Sequence, residues 1–231
     1  GVSAGGEVGG KDALGEGAFP RLFVLSAGNI ADRNHWTQYP ASLAVNQIHD
    51  PGQAWNALTV GAFSTKTNLT EPNTAAFTPI APEGALSPFT STSSQWANRA
   101  WPLKPDVVFE GGNAATDGVA ADNFASLELL TTNNQPLTRL FWTTNATSAA
   151  SALCARMAAQ IMAAYPQLRP ETVRALIVSS AEWTEAMLQM IPANGAQRSK
   201  QQNLSLIQHC GWGVPDLERA LWSAGNSLSL V

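Results

Sequence analysis

Short apolar runs separated by polar, proline-containing stretches fill the first two thirds of the chain, and an alanine-rich segment opens the last third. Arg21-Leu-Phe-Val-Leu-Ser-Ala-Gly28 is an apolar run closed by glycine, the pattern of a buried strand. Ala57-Leu-Thr-Val-Gly-Ala-Phe63 predicts a second such strand, and Asp106-Val-Val-Phe-Glu110, launched by Lys104-Pro105, a third. The Thr-, Ser-, Asn- and Pro-rich stretches between them, notably 65–94, read as long surface loops. Ser126-Leu-Glu-Leu-Leu-Thr-Thr132 and Thr138-Arg-Leu-Phe-Trp142 flank Asn133-Asn134-Gln135-Pro136 and predict a hairpin. Ser148 to Tyr165 is apolar nearly all round, with Arg156 and Gln160 the exceptions, which predicts an interior helix packed through small residues and ended by Pro166. Pro170-Glu171 starts a second helix running to about Glu185, with proline in the first turn and an acid at the positive helix end. Pro215-Asp216 repeats the device for a third helix over Leu217 to Ser223.

Strands first and then mixed with helices predict an α/β fold, a mostly parallel sheet with flanking helices in one domain over residues 21–231. Ahead of it, Gly1 to Gly17 holds seven glycines with Glu7, Lys11, Asp12 and Glu16 between them, so 1–20 reads as a loop or linker. That stretch lacks the basic and apolar halves of a secretion signal, and the chain has no initiator methionine. It reads as a fragment, a processed product or a trimmed chain.

Composition narrows the partners. Apolar residues make up 45% of the 231, enough for a core, while charged residues are only 13%, about half the usual share. A surface so poor in charge points to part of it being covered by something else. Thirteen Lys and Arg within a net charge of −4 cannot build the basic face that nucleic acid requires. No uncharged apolar stretch reaches the ~18 residues of a membrane-spanning helix. Cys154 and Cys210 cannot make a disulfide framework, and the bias of cysteine to interiors favours two buried thiols over one bridge.

Two segments could carry chemistry. Ser148 follows Asn145-Ala146-Thr147 at the start of the alanine-rich helix, where free backbone N–H groups and the positive dipole end favour the negative charge that develops in acyl transfer. The structural alternative makes Thr147 or Ser148 a helix N-cap. Ser26-Ala27-Gly28-Asn29 ends the first strand; an Asn side-chain amide there can donate to an oxyanion, and the small residues before it leave room for a substrate. Its structural alternative is a strand-ending turn. His35, His49 and His209 have no metal-ligand spacing and read as loop or surface residues, with Asp32 and Asp50 beside the first two. His209-Cys210 is a weak pair for metal or thiol chemistry. Asp117, Asp122 and Asn123 are plausible oxygen ligands for calcium but form no clear site, and no cofactor is predicted.

Taken in order, several segments resemble the subtilisin-like serine peptidases, the subtilases. Leu22-Phe-Val-Leu-Ser-Ala-Gly-Asn29 is similar to the family's strand ending in the oxyanion-hole Asn. Tyr39-Pro-Ala41 followed by Ala57-Leu-Thr-Val-Gly-Ala62 resembles its "YPA…VGA" passage, Pro88-Phe-Thr-Ser91 its "FSS" loop, and Leu103-Lys-Pro-Asp-Val-Val108 its "KPDV" strand. Asn145-Ala-Thr-Ser-Ala-Ala150 is similar to the "GTSMA" start of the nucleophile helix, and Gly211-Trp-Gly-Val-Pro215 to the closing "GYG" turn. The resemblance spans roughly residues 20–225. It implies the C-terminal part of a subtilisin-like catalytic domain, with Ser148 as nucleophile. Asn29 and the Ser148 backbone N–H would be the oxyanion donors, and Ser26, Ala27 and Gly28 would line the substrate pocket.

The departures are as informative. The family's Asp and His lie upstream of the Asn in "DxG" and "HGTH" segments, and neither segment occurs here; all three histidines follow Asn29. Ala146 stands where the family usually has Gly, Ala149 for Met, Ala152 for Pro, and Phe109-Glu-Gly-Gly-Asn113 for the common "APG". The tail, with Pro170-Glu-Thr-Val-Arg-Ala-Leu176, resembles a bacterial branch, which leaves cytoplasmic and secreted settings both open. The resemblance implies a serine endopeptidase acting on peptide or protein substrates as part of a longer protein, with this chain alone inactive for want of a base. One alternative is a catalytically dead subtilase-like module that binds a peptide or protein. Another is a structural fragment that dimerises through its exposed surface.

Overall fold

The computed structural model describes residues 21–96, 101–193 and 197–226; the glycine-rich stretch 1–20 lies outside them. The order of elements is β1 (Val24–Ser26), α1 (Arg33–Trp36), β2 (Leu58–Phe63), β3 (Thr78–Pro79), β4 (Val107–Glu110), β5 (Ala115–Thr116), β6 (Ala121–Asp122), β7 (Leu129–Thr132), β8 (Phe141–Thr144), α2 (Ala146–Ala164), α3 (Pro170–Ser179), α4 (Glu185–Met190), α5 (Lys200–Cys210) and α6 (Leu217–Asn226). The three predicted buried runs pair as a parallel sheet in the order β1-β2-β4, with Leu25 opposite Thr59 and Gly61 opposite Val108. The central strand β2 is buried at every residue, which is why it reads as a continuous apolar run rather than an alternation. Val107 and Val108 fall into different apolar clusters, because successive side chains of a strand leave on opposite faces. One face receives α2, α3 and α6 through Cys154, Ile161, Ile177 and Ala220; the other receives Trp36, Phe89, Met187 and Leu206. Burying a side chain such as Ile161 or Ile177 stabilises the fold by about 1.5–3 kcal/mol.

A buried ionic clasp ties the sheet to α3. Lys104, 1% exposed, donates from Nζ to Asp106 Oδ2 at 2.6 Å and to the Ala57 carbonyl at 2.9 Å. Arg174 on α3 donates to Asp106 Oδ1 at 3.0 Å, and the Thr59 N–H to Asp106 Oδ2 at 2.7 Å. Burial pushes the Lys104 pKa below its ordinary value, and the Asp106 carboxylate opposes that shift.

Several expected elements are redrawn. α2 starts two residues before Ser148 and is buried along one face only, with Ala152, Ala155, Arg156 and Gln160 exposed on the other. Alanine is small and a strong helix former, so its abundance does not report which faces are covered. The helix begun at Pro170 ends at Ser179 rather than near Glu185. Ser180 caps it, donating from N to the Leu176 carbonyl at 3.1 Å and from Oγ to the Ile177 carbonyl at 2.9 Å. Glu182 then bridges Val214, and Thr184 accepts the Met187 N–H to begin α4. α5 was not predicted, although Ser199 and Gln202 form a capping box at its start, a legible helix signal. The hairpin forms three residues later than its pattern suggested, with Leu130 opposite Thr143. Leu127 is instead buried in a tight turn that takes the Asn113 N–H on its carbonyl. Both cysteines are free and buried, and burial pushes each thiol up to about 12.

Candidate active site

The C-terminal ends of β1 and β4 meet the first turn of α2. The Ala27 N–H continues the sheet to the Val60 carbonyl at 2.9 Å, and Gly28 turns the chain at φ 108°. Asn29 bridges Thr90 and the Ile30 N–H donates to the Phe89 carbonyl, so the Pro88–Ser91 loop holds the turn from one side. On the other side the Ala146 N–H donates to the Gly111 carbonyl at 2.6 Å. A Cβ on Gly111 would lie 2.4 Å from Ala62 Cβ and 3.0 Å from the Ala146 carbonyl oxygen. Glycine is therefore required there, and the loop that departs from "APG" lets the helix approach the strand end. Ala146 itself has φ 65°, a left-handed conformation that costs a non-glycine residue about 1–2 kcal/mol. Beside it Asn145 donates from Nδ2 to Glu128 Oε1 at 2.7 Å.

Asn145 is the N-cap of α2, so Thr147 and Ser148 are the second and third residues of the helix and neither is its cap. The Asn29 carboxamide meets Thr147 twice: its Oδ1 accepts the Thr147 N–H at 3.0 Å and the Thr147 hydroxyl at 2.5 Å. A backbone N–H can only donate, so the atom facing it is the oxygen, and the NH₂ occupies the other arm of the amide. That NH₂ has no protein hydrogen-bond partner among the described residues. The Thr147 hydroxyl has one proton, which goes to Asn29 at the shorter distance. Its lone pair accepts the Gly28 N–H at 3.3 Å. Thr147 is fully buried, whereas Ser148 beside it is exposed. The Ser148 N–H is among the first four of the helix, which have no intrahelical acceptor.

The structure thus brings Ser148, Asn29, Gly28 and Ala27 together, with Ala27 and Gly28 buried and Ser26 half-buried on the strip leading to Asn29. Two further residues belong to this place, and the role of Thr147 was missed. Thr147 read only as a capping residue; its neighbours Asn145 and Ser148 hid its role, since the partner Asn29 is 118 positions away. His49 is the exposed loop residue that its sequence predicts, and it stands directly against Gly28.

The other polar candidates are engaged elsewhere. Asn46 Nδ2 lies 3.4 Å from His35 Nδ1. His209 donates from Nδ1 to the Ser205 carbonyl at 2.8 Å, and its burial lowers its pKa. Asp117 Oδ1 accepts the Val119 and Ala120 N–H groups, while Asp122 pairs with Arg33 at 2.8 Å. Among the described residues no three His, Cys, Asp or Glu side chains cluster as a metal site, and no helix is long and apolar enough to cross a membrane.

Comparison with known proteins bears on the family and the fold. The profile of the subtilase family matches residues 3–213. The uncharacterized protein y4bN of Sinorhizobium fredii is 31% identical over 225 residues, covering 90% of this chain and 50% of that protein. A protease from Pseudoalteromonas arctica shares the fold with a TM-score of 0.50 at 18% identity, over 88% of this chain and 43% of that one. The epidermin leader peptide processing serine protease of Staphylococcus aureus aligns with a TM-score of 0.47 at 17% identity, over 90% of this chain and 42% of that one. The chain therefore spans about half the length of the relatives it matches.

Proposed function

The chain belongs to the subtilase family, and from that premise we propose that it forms the nucleophile half of a serine endopeptidase, completed by other parts of a longer protein. The observation that carries the reading is the double hydrogen bond from Thr147, the neighbour of Ser148, to Asn29 Oδ1, which leaves the Asn29 NH₂ uncommitted among the described residues. In the reaction Ser148 Oγ attacks the peptide carbonyl and loses its proton to a base. The carbonyl oxygen becomes an oxyanion, which accepts from Asn29 Nδ2 and the Ser148 N–H. The positive end of the 19-residue helix α2 adds to these donors. Collapse of the tetrahedral species expels the amine, which takes the proton back from the base, and leaves an ester on Ser148, which water then hydrolyses with the same base.

The base is the component this reading assigns to another segment. His35 and His209 are held by other groups, and none of the three histidines is hydrogen-bonded to Ser148. Among the described residues β1 pairs only with β2. Without a base the serine hydroxyl is a poor nucleophile, so the isolated chain is inactive.

A fluorophosphonate probe tests the proposal on this chain and on the full-length protein, with the modified peptide identified by mass spectrometry. Labelling at Ser148 in the full-length protein alone is the expected result. No labelling in either removes the peptidase reading and leaves the dead, peptide-binding subtilase module.

A further inference from the structure

Asn145 holds the N-cap position of α2 with an extended backbone, φ −143° and ψ −170°, yet its side chain makes no capping bond. Asparagine is favoured at an N-cap because its side-chain oxygen accepts the N–H of the second or third helical residue. In α2 those residues are Thr147 and Ser148. The Thr147 N–H is already taken by Asn29 Oδ1 at 3.0 Å, and the Ala146 N–H by the Gly111 carbonyl at 2.6 Å. What remains for an Asn145 cap is the Ser148 N–H, which has no acceptor among the described residues. This is also the N–H that a developing oxyanion would use.

Glu128 holds the Asn145 carboxamide away from that role. Its Oε1 accepts from Asn145 Nδ2 at 2.7 Å. A carboxylate can only accept, so it selects the NH₂ end of the amide, and a bond to a charged acceptor outweighs a neutral one. The two residues are packed around Gly112, whose φ is 80°. A Cβ there would stand 2.8 Å from the Leu127 carbonyl oxygen, 3.4 Å from Asn145 Cβ and 3.5 Å from Glu128 Cα. The Glu128 N–H donates to the Ala125 carbonyl at 3.2 Å, and the Leu127 carbonyl accepts the Asn113 N–H at 2.9 Å, so the turn that presents Glu128 is itself tied down. We infer that Glu128 is a positioning residue: by engaging Asn145 it prevents α2 from capping itself on the Ser148 N–H, and so keeps that oxyanion donor free. The inference rests on the Ser148–Asn29 reading above.

The test uses the full-length protein. One readout is the rate of fluorophosphonate labelling at Ser148; the other is amide hydrogen exchange of the Ser148 N–H, which needs no catalytic base. Glu128→Ala releases Asn145 to cap, so labelling should slow by about 2- to 30-fold, the bias that one Asn cap supplies. Exchange of the Ser148 N–H should slow by the same factor. Glu128→Gln keeps an acceptor oxygen and should label as the wild type does. Adding Asn145→Gly to Glu128→Ala removes the cap itself, at little cost to the helix, and should restore the rate. A double variant as slow as Glu128→Ala would mean that Glu128 acts only through the stability of the turn. That result, or unchanged Ser148 exchange in Glu128→Ala, would overturn the role of Glu128 while Ser148 labelling in the wild type upholds the peptidase reading. Absence of labelling in the wild type would take down both.

Discussion

Asn29→Ala and Thr147→Val should differ sharply in activity, although the two side chains share a hydrogen bond at 2.5 Å. Asn29→Ala deletes the Nδ2 donor. If the proposed role holds, turnover should fall by about 10²–10³, the cost of removing one oxyanion-hole donor. Asn29→Ala also lowers stability by about 1–3 kcal/mol, because the Thr147 N–H loses its acceptor in a fully buried residue. Thr147→Val keeps the Asn29 amide and keeps the Thr147 N–H on Oδ1 at 3.0 Å, so the donor stays nearly in place. Activity should fall by only about 2- to 10-fold, the worth of one hydrogen bond. Stability falls by a similar amount, about 1–3 kcal/mol, since the buried Gly28 N–H loses its acceptor. The assays are the rate of fluorophosphonate labelling of Ser148 in the full-length protein and urea unfolding of each variant. A Thr147→Val protein labelled as slowly as Asn29→Ala would refute the argument that Thr147 only orients the amide.

Three other outcomes follow from the packing. Asp106→Asn should destabilise by about 3–5 kcal/mol in urea, because the Lys104 ammonium stays buried without its anion. Adding Lys104→Met should recover part of that loss, and a double variant as unstable as the sum of the singles would contradict it. Cys154 and Cys210 should resist a thiol reagent in the native protein and react fully in denaturant; since burial raises their thiols to about 12, stability should fall as pH rises above about 9, where only the unfolded chain ionises. His209 carries the opposite pH signature. Burial lowers its pKa, so its contribution is intact above the usual ~6.5 and lost as pH falls from there through the folded-state value, where the unfolded chain takes up a proton first. His209→Gln should therefore lose less stability than the wild type between pH 7.5 and pH 5, and equal losses would exclude this origin.

The linear order of segments was enough to identify the strands of the parallel sheet, the helix that carries Ser148 near its start and the turn at Asn29. Each rests on local information: an apolar run closed by glycine, or a serine at the head of an alanine-rich run. The end of α3 was not legible, because a helix continuing to Glu185 and one stopping at Ser179 have the same apolar pattern. Pairing of Glu182 with Val214 decides between them. The face that α2 covers was hidden for a similar reason, since alanine suits a buried and an exposed face alike.

What the sequence by itself determined is the chemistry available: a serine at a helix start, an asparagine at a strand end, and three histidines outside any triad motif. Tertiary structure alone decided how those groups are used. It placed Thr147 on the oxygen of Asn29 across 118 residues, and so turned the amide donor free. It left Lys104 in the interior, held by Asp106, and set the His49 ring on the bare face of Gly28. Hydrogen-bond direction and steric exclusion act over a few ångströms of space, and no pattern along the chain records which distant residues will share those few ångströms.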